Sequence, residues 1–127
     1  MRIMLRSKIH RATVTRADVS YVGSISIDEA LMAAAGIVQW EQVHVLDLTN
    51  GARLETYAIP APAGSGEICV NGAAAHLVHP GDLIIIVTYE GVPNEAVENH
   101  HPTIVHVDAR NRMVDLVTSE VAEGVGR

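Results

Sequence analysis

The chain has no phenylalanine, one tryptophan and three tyrosines among its 127 residues, so any core it builds must be aliphatic. With 48% hydrophobic residues, Val, Ile, Leu and Ala are numerous enough to supply one. It has a single cysteine, Cys69, which rules out an intrachain disulfide and points to the cytoplasm, a reducing compartment. Between Ile68 and Val70 in a strand-like stretch, that thiol is expected to be packed rather than nucleophilic. Long apolar runs are also missing. The longest candidate, Leu83 to Val87, has the length of a strand and not of a membrane span, and the first residues show no signal-peptide pattern. Positive charge is scarce: nine Lys and Arg stand against fifteen Asp and Glu, a formal charge of -6. That balance argues against nucleic acid and leaves open an acidic small molecule, which only local charge decides. There is no Walker-type loop and no dinucleotide fingerprint. The length suits one domain with its own core, over residues 1–118.

Short β-segments separated by turns dominate the pattern. Ile3 to Thr15 reads as a long first strand with Lys8 and His10 on one face by the period of two. Tyr21 to Ile27 is a second extended piece. Asp28 to Gly36 reads as a short helix, capped by Asp28 and stopped by Gly36. Val43 to Leu48 and Arg53 to Ile59 form a hairpin about Asn50-Gly51. On the return strand Arg53, Glu55 and Tyr57 share one face, and Leu54, Thr56 and Ala58 the other. Glu67 to Val70 is a further strand, followed by the small-residue run Asn71 to Ala75. Pro80-Gly81-Asp82 marks a turn before Leu83 to Val87. Pro93 to His101 fits a short helix or a loop, and Thr103–Val107 with Met113–Val117 reads as a last hairpin. Residues 119–127 are expected to form a frayed tail. Many short strands with few helices indicate a small β-barrel or sandwich.

Four segments stand out: Lys8-Ile9-His10-Arg11, Tyr21-Val22-Gly23-Ser24, Thr56-Tyr57-Ala58-Ile59 and Asn71-Gly72-Ala73-Ala74-Ala75-His76. In this order, over about Met4 to Tyr89, the chain resembles the pyruvoyl-dependent aspartate 1-decarboxylases; after Pro93 the likeness fades. The resemblance narrows the fold to a mainly β architecture, a double-psi β-barrel with short helices. It implies a homotetramer with sites between neighbouring subunits.

It also implies self-cleavage between Gly23 and Ser24 into residues 1–23 and 24–127. Glycine, lacking Cβ, can hold a strained backbone with its carbonyl open to attack. The serine hydroxyl then attacks that carbonyl and turns the peptide into an ester. β-Elimination and hydrolysis leave a pyruvoyl group derived from Ser24, an electron sink that replaces an external cofactor. L-Aspartate would be taken up through a Schiff base and released as β-alanine and carbon dioxide, feeding pantothenate synthesis.

The resemblance gives further residues their roles. Arg53 offers a planar fork for a carboxylate, and Lys8 is a second cation. Tyr57 would return a proton to the carbanion. Thr56 is assigned to processing and substrate contact, although an ideal strand turns it away from Tyr57, so a kink near Ser24 is expected. Asn71 and the substrate loop Gly72, Ala73 and Ala74 would bring backbone N–H groups close to a carboxylate, aided by a helix start. His10 and Tyr21 would support the site. The family also admits an accessory maturation factor as a partner.

The chain has seven histidines, and His76 with His79 or His100-His101 invite a metal. His76 and His79 lack a nearby third ligand in register, as zinc would require, and adjacent His100-His101 point in opposite directions on any strand, so no metal is expected. The competing reading is a non-catalytic oligomeric β-barrel that binds a small acidic ligand and stays uncut at Gly23-Ser24. The joint presence of Lys8, Ser24, Arg53 and Tyr57 favours the enzyme.

Overall fold

The computed structural model describes residues 1–20 and 23–118. Nine strands, one α-helix and two 3-10 helices follow one another: β1 (Arg2–Thr13), β2 (Arg16–Asp18), β3 (Ile25–Asp28), α1 (Glu29–Ala35), β4 (Gln42–Asp47), β5 (Arg53–Ala61), β6 (Ile68–Asn71), the 3-10 helix Gly72–His76, β7 (Leu83–Val92), the 3-10 helix Asn94–Asn99, β8 (Thr103–Val107) and β9 (Met113–Val117). The expected tail and Tyr21 lie outside the described residues.

Hydrogen bonding orders the strands β2-β6-β3-β5-β4-β7-β1-β8-β9. Strands β2 and β1 stand far apart in that order, yet only Val14 and Thr15 separate them in the chain. The sheet must therefore curl so that β2 comes back toward β1. Thr15 seals the junction: its N–H donates to the Ile68 carbonyl at 2.8 Å and its Oγ1 accepts from the Ile68 N–H at 3.0 Å. Val14 is tied to the turn before β7 by bonds to Asp82 and Gly81 of 2.9 and 2.8 Å. Parallel pairs (β1 with β8, β2 with β6, β3 with β5) interleave with antiparallel ones. This mainly β architecture with short helices agrees with the double-psi β-barrel expected.

The inner face is aliphatic, as the missing phenylalanines demand. Ile9 pairs with Ile86 on one side and Val105 on the other, and Ile86 faces Val45; all four are fully buried. Each such side chain contributes about 1.5–3 kcal/mol on removal from water. Helix α1 covers the core with Leu31, Met32 and Ala35. Asp28 accepts from the Ala30 N–H at 2.8 Å, and Gly36, at φ 71°, ends the helix. The same Asp28 also accepts from the N–H groups of Gly64 and Gly66 at 3.0 and 2.8 Å, so one carboxylate ties the helix start to the loop before β6.

The hairpin forms where expected, but Asp47 and Asn50 shape its turn more than Asn50-Gly51 alone. Asp47 Oδ1 accepts from Thr49 and Asn50, and Asn50 Oδ1 accepts from Ala52. The segment 93–101 holds the 3-10 helix Asn94–Asn99, and β7 runs on to Val92, past the expected Val87.

A carboxyl pair joins this hairpin to the turn before β7. Asp47 and Asp82 are both buried, and Asp47 Oδ2 meets no donor among the described residues. A proton held between it and the neighbouring Asp82 carboxyl would satisfy it. Burial, then the bond to Asp82, pushes the Asp47 carboxyl above the usual carboxylate range. Its partner Asp82 is held low by the interaction with Asp47 and by the His79 N–H. A carboxyl raised on folding costs stability as pH climbs from its unfolded value, 3.8, through the raised one. Lowering at Asp82 acts oppositely, giving stability above 3.8 that is lost as pH falls. Asp47→Asn keeps the acceptor for Thr49 and Asn50 and offers Asp82 a permanent N–H. The variant should therefore gain stability relative to the native chain between about pH 4 and pH 7. Chemical denaturation across that range measures it; parallel curves would show that the pair exchanges no proton.

Candidate active site

Strand β3 is four residues long and is paired on both edges, in parallel with β5 and antiparallel with β6. Ile25 faces Ala58 on one side and Val70 on the other. Ser24, one residue earlier, therefore falls level with Tyr57 and Asn71. The backbone leaves the strand there abruptly: Ser24 has φ 87° and Gly23 φ 26°, both in the left-handed region. A serine pays a steric cost in that region that a glycine does not.

Asn71 holds the serine in place. Its backbone N–H donates to the Ser24 carbonyl at 3.0 Å, and its side-chain Nδ2 donates to Ser24 Oγ at 3.0 Å. The same Nδ2 reaches Ser26 Oγ at 3.2 Å, while Asn71 Oδ1 accepts from the Cys69 thiol at 3.2 Å. Ser24 is 1% exposed and Asn71 4%, so these bonds have no competition from bulk water. Ser26 escaped the sequence reading, which took Cys69 only as a packed thiol, and the thiol is indeed buried. The signal was present, because Ser24/Ser26 and Cys69/Asn71 are each two apart and so share a face on paired strands.

Tyr57 closes the other side. Its Oη lies 3.6 Å from where a Cβ on Gly23 would sit, an ordinary contact. Space would thus permit a small side chain at position 23, and it is the backbone angle that calls for glycine. Trp40 stands beside Tyr57, with ring centroids 5.8 Å apart; nothing in the sequence pattern pointed to it. Thr56 shares the inner face of β5 with Leu54 and Ala58 and is half-buried. The chain bends at Gly23-Ser24, just before β3 begins.

Gly72, Ala73 and Ala74 follow Asn71 directly in the 3-10 helix Gly72–His76. One such turn carries little macrodipole, so any anion there would depend on individual N–H groups more than on a helix end.

Three expected residues lie elsewhere in the chain's own fold. Arg53 is exposed at the start of β5, about 13 Å along the strand from Tyr57 at the usual rise. It borders a recess of about 240 Å³ with His44, Leu46 and Glu55. Lys8 is in line with Val87, His44 and Glu55 across β1, β7, β4 and β5. That is three strand spacings, on the order of 14 Å, from β5. His10 meets His106 edge-on at 5.4 Å and borders a cleft of about 230 Å³ with Arg11 and Asp108. Among the described residues no group of three or more His, Cys, Asp or Glu is placed to hold a metal, and no helix is long and apolar enough to cross a membrane.

A mainly β protein with a strained, buried serine at the end of a short central strand is thus defined. Comparison with known proteins makes it specific. The chain belongs to the aspartate decarboxylase family, whose sequence model, described as "Aspartate decarboxylase", matches residues 1–114. It is 58% identical over 116 residues to the aspartate 1-decarboxylase of Corynebacterium efficiens, covering 91% of this chain and 85% of that protein. The aspartate 1-decarboxylase of Moorella thermoacetica is 56% identical over 119 residues, 94% of this chain and 93% of that one. A crystal structure of the rationally designed mkDPBB_sym_86 protein aligns with a TM-score of 0.46 at 20% identity, over 65% of this chain and 90% of that one.

The clamp makes a stability prediction. Asn71→Ala leaves Ser24 Oγ buried without its donor and should cost about 1–3 kcal/mol. Chemical denaturation of variant and native chains, both uncleaved by intact mass, measures it. A change under about 0.5 kcal/mol, typical of an exposed site, would show that the bond carries no stability.

Proposed function

We propose that this chain is a self-processing aspartate 1-decarboxylase that converts L-aspartate to β-alanine and carbon dioxide in pantothenate biosynthesis. The observation that carries the reading is Ser24: buried, left-handed, preceded by a left-handed glycine and gripped twice by Asn71. A serine needed only for a turn would not require a buried amide on its hydroxyl. The relatives' shared name and the family match support the same reading.

The processing chemistry follows from this arrangement. Strain at Gly23 and Ser24 raises the energy of the peptide bond between them and so favours its attack. Ser24 Oγ adds to the Gly23 carbonyl, the C–N bond breaks, and an ester replaces the amide. Loss of the Ser24 α-proton expels Gly23 as a carboxylate and leaves a dehydroalanine at position 24. Uptake of water and release of ammonia complete the pyruvoyl group. Asn71 holds Oγ by donating to it, which leaves the hydroxyl's own proton to depart. We assign the Thr56 hydroxyl to this step as well.

The residues present fit such a group. Asn71 N–H donates to the Ser24 carbonyl, an acceptor that survives the conversion, and the site is closed to bulk water. When formed, the group supplies a ketone that captures the substrate amine and draws electrons from the breaking bond. The side chains do the rest. Tyr57, already against Gly23, returns a proton to the carbon that carbon dioxide leaves. Arg53 anchors the carboxylate that remains, Lys8 offers the second positive charge, and Gly72, Ala73 and Ala74 offer backbone donors. Tyr21 and His10 support the site.

Along the sheet, Lys8 stands three strands from β5, and Arg53 lies four residues along β5 from Tyr57. We therefore propose that a neighbouring copy presents both cations, within a homotetramer. The single buried Cys69 supports a cytoplasmic setting, and an accessory maturation factor is compatible with a cleavage step that must be triggered.

Intact mass with carbon dioxide release from L-aspartate tests the core of this reading. The native chain should yield two fragments divided between Gly23 and Ser24, the second blocked at its N-terminus. Ser24→Ala should stay whole and inactive. A native chain that remains uncut and inert would instead favour the binding barrel.

Complementation tests the shared site. Lys8→Ala and Ser24→Ala chains should each be nearly inactive alone. Co-expressed, they should regain a clear fraction of native turnover, because mixed assemblies contain sites with both groups intact. No recovery in mixed oligomers would place Lys8 in the same copy as its Ser24.

A further inference from the structure

Trp40 is the only tryptophan of the chain, and it occupies a place poorly suited to one. Its φ is 75°, where a bulky L-residue brings its Cβ against the carbonyl. It is also 67% exposed, so burial does not explain its presence there.

The surrounding chain enforces the conformation. The Trp40 N–H donates to the Ala58 carbonyl at 2.8 Å, and the Ala58 N–H donates to the Glu41 carbonyl at 2.9 Å. These two bonds fasten the loop to β5 at the residue after Tyr57. Glu41 is itself braced: its Oε1 accepts from the Val38 N–H at 3.0 Å, and its Oε2 pairs with Arg6. The other terminal nitrogen of Arg6 donates to the Gly36 carbonyl. A charged link from β1 thus holds the loop 36–41 in place. Its product is a tilted aromatic pair, the indole 5.8 Å from the Tyr57 ring at 33°, a favourable arrangement for two aromatic faces.

We propose that Trp40 is a positioning residue for Tyr57: its indole backs the phenol ring and keeps the hydroxyl against Gly23 and Ser24. Tyr57 is only half-buried, so without this plate its ring could turn toward solvent and leave the reacting position. Small losses of alignment in a proton donor slow turnover steeply while leaving substrate binding intact. The proposal rests on the reading of Tyr57 as the proton donor.

The test uses full-length, self-processed protein, with rates normalised to the cleaved fraction by intact mass. Asn tolerates the left-handed backbone, so Trp40→Asn keeps the loop and removes the plate. It should lower kcat by about tenfold, the scale of a misplaced catalytic group, with KM within about twofold. Its Tm should be equal or higher, since the strain is relieved, which a merely structural role would not give. Trp40→Phe keeps an aromatic face and should recover most of the rate. In a Tyr57→Phe background, Trp40→Asn should cause no further loss, because both act through one phenol. Native turnover by Trp40→Asn, no rescue by Phe, or a full second loss in the double variant would overturn the role of Trp40 while leaving Tyr57 as donor. Native turnover by Tyr57→Phe alone would overturn both.

Discussion

Strand β3 is only four residues long, yet the site hangs from its pairing on both edges. Ile25 and Ile27 are fully buried and matched to Ala58 and Pro60 in β5, and to Val70 and Ile68 in β6. A one-residue slip would turn both isoleucines out of the core. The register is therefore fixed by aliphatic burial, and burial in turn fixes where Ser24 must lie. Asn71 falls level with Ser24 because β6 is antiparallel to β3, and Tyr57 does so because β5 is parallel to it. The placement of the serine is thus a consequence of the core.

That constraint also explains why strain can persist at positions 23 and 24. An isolated left-handed serine would relax, at a cost of order 1–3 kcal/mol if it were held. Here the strand on its C-terminal side is locked by two neighbours, and Asn71 grips both the carbonyl and the hydroxyl of the serine itself. The bonds that oppose relaxation are buried. Arg11 is left-handed too, at φ 63°, but at a register shift in β1 between Ile9 and Ala12, where the bulge accounts for it. The left-handed pair at Gly23 and Ser24 has no such purely architectural reason.

Much of this was legible in the residues. Asp28 and Gly36 marked the helix ends because capping and a left-handed stop are local chemistry. The alternation of Arg53, Glu55 and Tyr57 against Leu54, Thr56 and Ala58 gave the two faces of β5 because strand period is local as well. What depends on long-range pairing was not legible. Nothing in Arg16-Ala17-Asp18 announces a strand, since its pairing with β6 is supplied by residues 69–71. Nor could periodicity show that Lys8 stands three strands from Tyr57, or that Trp40 leans on it. Asn111 is a similar case: expected only as part of a turn, it bonds Thr13 twice and Gly66 once, pinning the last hairpin to β1.

The division of the site follows from the same topology. The groups that would make and hold an electrophile — Gly23, Ser24, Asn71 and Tyr57 — sit where β3, β5 and β6 meet, and all are supplied by one copy. The cations that would bind a carboxylate lie on the outward face of β1 and at the start of β5, apart from Ser24 along the sheet. A barrel filled by isoleucine and valine has no interior room for a dianionic substrate, and burying Lys8 or Arg53 inside it would carry the desolvation cost of an unpaired charge. The chain resolves that conflict by keeping the cations on its surface and the reactive serine in its wall. Under the proposed function, an active centre would form where the surface of one molecule covers the wall of another, and assembly would then serve the chemistry directly.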